Sequence, residues 1–246
     1  MVKSTNKKIL LPVTALIVAS SALILLLASG MGSHFGLWHF RTGFTLLKYA
    51  AWLGLASALI GSAALVVSSR QRLWQAVIMS GVAVAIGVTT FAIPWSWKQT
   101  AGGLPKIHDI STDTANPPRF VAVVPLRKDA PNPAEYGGAE IADKQTQAYP
   151  DLKTLPLTIP PDQAFSLALK AAHSMGWSIV AAVPAEGRIE ASDTTFWFGF
   201  IDDIVIRIRP SGNGSLLDIR SVSRVGLSDV GTNARRIRQF IKRVNG

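Results

Sequence analysis

The first 98 residues contain eight Lys or Arg and not one Asp or Glu, and this asymmetry constrains the chain more than any other feature. Acids are scarce where a side chain must lie close to lipid. Three stretches of this half, at about 9–29, 49–68 and 74–94, carry no charge at all. Each is long enough to cross a hydrocarbon core of about 30 Å at a rise of about 1.5 Å per residue. The rest of the chain holds the other seventeen basic residues and all fifteen acids, so it contributes only +2 of the formal +10. A nucleic-acid binder would carry its positive excess on the folded, polar part. Nucleic acid is therefore excluded as a partner, and the lipid bilayer is expected in its place.

Residues 1–98 thus read as a membrane anchor of three transmembrane helices. Small residues crowd the second and third spans (Gly54, Ser57, Ala58, Gly61; Gly81, Ala83, Gly87), a composition that lets helix backbones approach closely. Trp38, Phe40, Phe44, Tyr49 and Trp52, then Trp74, Trp95 and Trp97, lie near the expected membrane–water boundaries. The first apolar run is too long for a cleaved export signal and reads as a retained span. Five basic residues (Lys3, Lys7, Lys8, Arg70, Arg72) flank one side and two (Arg41, Lys48) the first loop. The positive-inside bias then puts the N-terminus in the cytoplasm. The expected location is a multi-pass protein of the inner (cytoplasmic) membrane with a periplasmic C-terminal domain.

Residues 99–152 are rich in Pro, Asp and Asn without periodicity, and read as an extended, turn-rich segment. Residues 153–246 read as an α+β domain. "IPPDQAFSLALKAAHSMGW" starts a helix at Pro161 and stops it at Gly176, with Phe165, Leu169, Ala172 and Met175 as its apolar stripe. Strands are expected at about 177–183, 188–197, 203–209 and 216–224, the last two joined by "PSGNGS". If 209 and 216 pair, Arg207 falls opposite Asp218, as an ion pair on a solvent face. A final helix, capped near Ser228–Asp229, buries Val230, Ala234, Ile237, Ile241 and Val244 and leaves Arg235, Arg236 and Arg238 off that stripe. The fold class is three N-terminal transmembrane α-helices followed by an α+β soluble domain, an antiparallel sheet of about four or five strands with helices on one face.

The run "TTFWFGF" (194–200) is the most unusual stretch of the soluble half. If the strand continues through it, parity puts Phe196, Phe198 and Phe200 on one face and Trp197 on the other. Three phenylalanines on an outer face need a cover. The Pro-rich 107–152 segment, a membrane or partner, and a small ligand are the three alternatives. Phe196, Phe198 and Phe200, with Arg207, Arg209, Arg220 and Arg224, form the candidate interaction surface.

Several strings, "HDISTDTANPPRF" (108–120), "AYPDL" (148–152), "GW" (176–177), "IEASDTTFWFGFIDDIVIRIRP" (189–210) and "DIRSVSRVGLSDVGTNARRI" (218–237), resemble the domain-of-unknown-function family 1499 over about residues 106–244. The resemblance implies kinship and a shared fold, with members in bacteria and plant plastids, some behind N-terminal transmembrane helices. It brings no catalytic residues, so function has to be argued from sites.

The chain has no cysteine, which removes disulfides, Cys-type zinc sites and thiol catalysis. Four scattered histidines offer no metal-ligand spacing, and neither metal nor cofactor is expected. Asp193, Asp202 and Asp203 beside Arg207, Arg209, Arg220 and Arg224 suit cross-strand ion pairs and turn caps better than acid–base work. "HDISTD" (His108, Asp109, Ser111, Asp113) suits turn chemistry better than a triad. The expected function is a membrane-anchored periplasmic module, a non-enzymatic binding or envelope-structural protein, whose partner is an envelope protein or lipid. The alternative is an extracytoplasmic hydrolase that uses the Asp and Arg residues of 193–224.

Overall fold

The computed structural model describes residues 2–246, with side chains from Ile9 onward, so the side chains of Lys3, Lys7 and Lys8 lie outside the described residues. The chain forms two compact units. One is Met1–Gly102 with Phe196–Gly199, and the other is Gly103–Thr195 with Phe200–Gly246.

In the first unit α1 (Val2–His34), α2 (Phe40–Arg70) and α3 (Trp74–Gly102) are helices long and apolar enough to cross a membrane. Their small residues act as expected. Gly54, Ser57, Ala58 and Gly61 of α2 and Ala83 and Gly87 of α3 are buried. A Cβ on Gly87 would meet the Gly54 carbonyl oxygen at 2.5 Å, so the two backbones touch where no side chain fits. The buried Ser57 hydroxyl lies between the carbonyls of Ala15 on α1 (3.0 Å) and Ala83 on α3 (3.3 Å), and thus ties three helices at one level. α3 runs through Pro94 to Gly102, beyond the span expected to end at 94.

The second unit is the α+β domain. Its sheet has six antiparallel strands: β1 (Asp109–Ser111), β2 (Leu155–Leu157), β3 (Ser178–Val183), β4 (Arg188–Thr194), β5 (Ile201–Ser211) and β6 (Gly214–Ser223). The path runs β1-β6-β5-β4-β3, and β2 shares the outer edge of β6 with β1. The β5–β6 hairpin has the expected register, with Arg209 opposite Leu216 and Arg207 opposite Asp218. Gly187, at φ 60°, makes the turn from β3 into β4, where a Cβ would collide with the Ile208 carbonyl.

One face of the sheet packs on α5 (Pro161–Ser174) and α6 (Thr232–Asn245). Ile189, Ala191, Ile204, Ile206, Ile208, Leu217 and Ile219 alternate inward along the strands and meet Phe165, Ala168, Ala172, Ile237 and Phe240. Phe240 is fully buried and stacks on Trp177, their ring centroids 5.4 Å apart. The expected cap of α6, near Ser228–Asp229, lies two to three residues before the observed one at Gly231. The Asp229 carboxylate accepts from the N–H groups of Gly231 (3.1 Å) and Asn233 (2.5 Å), while Val230 takes the left-handed region at φ 51°.

Three expectations fail in this unit. β4 ends at Thr194, because Gly199 at φ 69° and a bond from the Thr195 N–H to the Phe200 carbonyl (2.8 Å) turn the chain back on itself. Phe196, Phe198 and Phe200 therefore do not continue a sheet face. The 99–152 segment is more than a cover: it supplies β1 and α4 (Ala139–Ala148). Buried Gln145 of α4 pairs with both backbone groups of Ser111, at 2.9 and 2.7 Å, as a neighbouring strand would. Arg236, expected off the buried stripe of α6, is buried.

A sealed charge layer and an aromatic turn

The second face of the sheet carries charge where a core would carry hydrocarbon. Strand parity puts Glu190 and Ser192 of β4, Asp203, Val205 and Arg207 of β5, and Asp218, Arg220 and Val222 of β6 on it. Glu190, Asp203, Asp218 and Arg220 are all buried. Residues 112–136 cover part of this face: Phe120 and Val123 pack on Val205 and Val222, and the buried Arg127 lies over the Phe120 ring. A buried charge is tolerated only when it is paired and hydrogen-bonded. The layer meets that condition group by group.

Arg220 makes a two-pronged pair with Asp109, Nε to Oδ1 at 2.9 Å and Nη2 to Oδ2 at 2.7 Å. Its remaining N–H groups donate to the carbonyls of Pro118 and Ala134, and its guanidinium lies over the Phe120 and Tyr136 rings. Burial, with the Asp109 charge beside it, pushes the Tyr136 hydroxyl up to about 12. Asp203 takes Arg127 at 2.5 Å, Arg224 at 2.8 Å and the Ser192 hydroxyl at 2.6 Å. Glu190 accepts the N–H groups of Val121, Ala122 and Val123 at 2.9–3.0 Å and pairs with Arg188.

Asp218 corrects the expected solvent-face ion pair. It is fully buried, with Arg207 and Arg209 each at 2.8 Å and the Thr154 hydroxyl at 2.6 Å. The reason is local: β2 runs along β6 at Leu217, and the 112–113 turn brings Asp113 to 3.0 Å from Arg207. The four candidate arginines are thus each turned onto a carboxylate. Arg220 is closed off, and Arg207, Arg209 and Arg224 keep partial exposure.

At the helix-covered face a second cluster closes the sheet end. Arg236 of α6 bridges Asp193 (2.9 Å) and Asp202 (2.6 Å), and donates to the Ser221 hydroxyl. Asn233 donates to the His108 carbonyl (2.9 Å) and the Ser223 hydroxyl (3.0 Å). The backbone of His108 and the side chains of Asp109, Ser111 and Asp113 in "HDISTD" thereby take structural roles. The His108 carbonyl binds α6, Asp109 holds Arg220, and the Ser111 hydroxyl and Asp113 carboxylate shape the turn that follows β1.

The acids differ in their response to pH. Burial raises the Asp203 carboxyl, but hydrogen bonds from Arg224 and Ser192 and the charge of Arg224 outweigh it and hold it below the usual carboxylate range. Its folded value lies below its unfolded one, so its contribution is complete above about pH 4 and is lost as acid carries the solution through the folded value. Asp203→Asn removes that contribution. We expect the denaturant midpoint to fall less steeply with acid below about pH 4 in the variant than in the parent. Parallel acid profiles would contradict the pairing of Asp203. Burial raises the Asp229 carboxyl, with the charge of Asp202 adding to it, and outweighs the N–H donors of Asn233 and Gly231.

Phe196–Gly199, the middle of the aromatic run, belongs with the first unit. Trp197 donates its indole N–H to the Leu27 carbonyl at 3.2 Å, lies over Gly30, and meets Trp97 edge-on at 5.0 Å. Phe198 is buried. Its ring stands 5.0 Å from Phe44 and shares with the Ser29 carbonyl the space a Cβ on Gly43 would need, and its carbonyl accepts from the Ser33 hydroxyl at 3.1 Å. The Pro-rich segment, one of the three alternatives for a cover, lies on the charge layer. Phe196 is 84% exposed, and Phe200 precedes β5 at half-burial, its N–H bound to the Thr195 hydroxyl.

Sequence reasoning missed Arg127, Arg236, Glu190 and Gln145 as organising residues. A usable signal existed for Arg236, which stands four residues before Phe240 and three after Asn233, on the row that the helix buries. Searches among curated proteins return no match. The family model described as "Protein of unknown function (DUF1499)" matches residues 109–244, from the first residue of β1 to the last turn of α6. That match spans more than half of the chain, and the protein is a member of this family, carrying its domain behind three helices of membrane-spanning length.

Proposed function

We propose that the protein is a membrane-anchored periplasmic module that binds or organises other envelope components without catalysing a reaction on them. The observation that carries this reading is the employment of the carboxylates. Asp109, Glu190, Asp202, Asp203 and Asp218 are each held by an arginine, by backbone N–H groups or by both. A general acid or base needs a carboxyl free to exchange its proton with a reacting group, and these are committed to holding the sheet to its covering segment. Asp229, the acid with a raised value, spends both oxygens on the start of α6. The anchor supports the membrane half of the reading, and the basic residues beside the spans support its orientation.

Two measurements test it. A reporter active only outside the cytoplasm should work when fused after Gly246 and be silent when fused after Arg70; the reverse pattern overturns the periplasmic placement. Cross-linking of the full chain in its native membranes, followed by pull-down, should recover a discrete envelope partner in constant ratio to the chain. Recovery of the chain alone would count against a binding module.

A further inference from the structure

The contacts of Trp197, Phe198 and Gly199 fix the level at which this turn lies along the three helices. Trp197 and Gly199 meet α1 between Leu27 and His34, Phe198 meets α2 at Gly43–Phe44, and Trp197 meets α3 at Trp97. At that level the uncharged runs end. It is also where Trp38, Phe40, Phe44, Trp95 and Trp97 gather, with Arg41, Lys48 and Lys98 beside them. Aromatic rings flanked by basic residues at the end of an apolar span mark the headgroup boundary of a bilayer. Residues 194–201 carry no charge, and Asp193 and Asp202 are the first on either side. Phe196, between Thr195 and the anchored Trp197, leaves this level exposed.

We propose that the turn between β4 and β5 is a membrane-embedded element, with Phe196 inserted among phospholipids at the boundary between headgroups and acyl chains. Its ligand is the lipid surface itself. A phenyl ring has no polar tip, so it gains by leaving water for the acyl side of that boundary. Trp197 keeps its indole N–H satisfied by the Leu27 carbonyl at the same depth. The consequence for the protein is a second tie to the bilayer, made by the sheet's own hairpin in addition to the chain connection after α3.

The inference rests on the membrane reading of the three helices, and one experiment separates the two. The chain lacks cysteine, so Phe196→Cys and Leu59→Cys each offer one thiol for an environment-sensitive nitrobenzoxadiazole dye. Leu59, exposed in the middle of α2, reports the span. The full chain is reconstituted into phosphatidylcholine vesicles containing lipids with a nitroxide at the headgroup or deep in the acyl chain. At position 196 the emission should be blue-shifted from that of the dye–thiol adduct in buffer, and quenched more by the shallow nitroxide than by the deep one. At position 59 the deep nitroxide should quench more. If 59 responds to lipid nitroxide while 196 emits as in buffer and is quenched by aqueous iodide, the embedded turn is wrong and the spans stand. A dye at 196 that is blue-shifted but shielded from both iodide and nitroxide would mean that protein covers the site, which also overturns the proposal. If neither position responds to lipid nitroxide, the membrane reading falls, and the inference with it.

Discussion

Asp109→Ala should cost the α+β domain about 3–5 kcal/mol, the range found when one partner of a buried ion pair is removed. The change leaves Arg220, 2% exposed at its side chain, with a full charge and no counter-ion. The carbonyls of Pro118 and Ala134 and the rings of Phe120 and Tyr136 still face the guanidinium, but they were placed to complete a pair and not to replace it. Truncation alone confounds lost charge with lost volume, so two further variants resolve the cause. Asp109→Asn keeps the shape and one acceptor, and should lose less. The double change Asp109→Leu with Arg220→Met removes both charges and should recover most of the loss, because well-packed apolar pairs often equal buried ion pairs. Urea unfolding of residues 103–246 measures all three. A single Asp109→Ala loss within ~1 kcal/mol would show that water reaches Arg220, and that the covering segment does not seal the layer.

How much of this the sequence displays depends on which physical rule governs each element. The three spans are legible because lipid imposes a long run without charge, and few other environments do. The β5–β6 hairpin is legible because Gly212 and Asn213 leave little choice of turn, and the register then places Arg207 opposite Asp218. β1 and β2 are not legible. "DIS" and "LPL" are three residues each, too short to show a period, and only the exposed edge of β6 makes them strands. The charge layer is misread for a related reason. Alternation along β5 and β6 shows that Asp203, Arg207, Asp218 and Arg220 share a face, but a charged face normally means solvent. What buries it is an irregular segment, and irregular segments carry no periodic signal. The hint was pairing: Arg207 opposes Asp218 across β5 and β6, and Phe120 and Tyr136 lie in the segment that covers Arg220. For "TTFWFGF" the misleading rule was parity, which holds only while the strand continues. Gly199 was the punctuation that ended it.

Phe198→Ala, in the full chain, should cost about 3–5 kcal/mol, as truncation of a buried aromatic does. The ring is 5% exposed, and the space beside it exists because residue 43 is glycine. Alanine leaves that space empty, with Phe44 facing it from 5.0 Å and the Ser33 hydroxyl still bound to the backbone at 198. The surrounding helices cannot close it easily, since Gly54–Gly87 contact and the Ser57 hydrogen bonds already fix their spacing. Two controls identify the origin of the loss. Phe44→Ala combined with Phe198→Ala should cost less than the sum of the two, with a coupling of about 0.5–3 kcal/mol, because each ring is the other's wall. The same Phe198→Ala change made in residues 103–246 without the helices should lower stability by less than ~1 kcal/mol, because Ser33, Gly43 and Phe44 are absent there. Equilibrium unfolding of the full chain in bicelles supplies the first numbers. A full 3–5 kcal/mol loss in the isolated domain would instead return Phe198 to the cover of the Pro-rich segment, and would detach the aromatic turn from the helices.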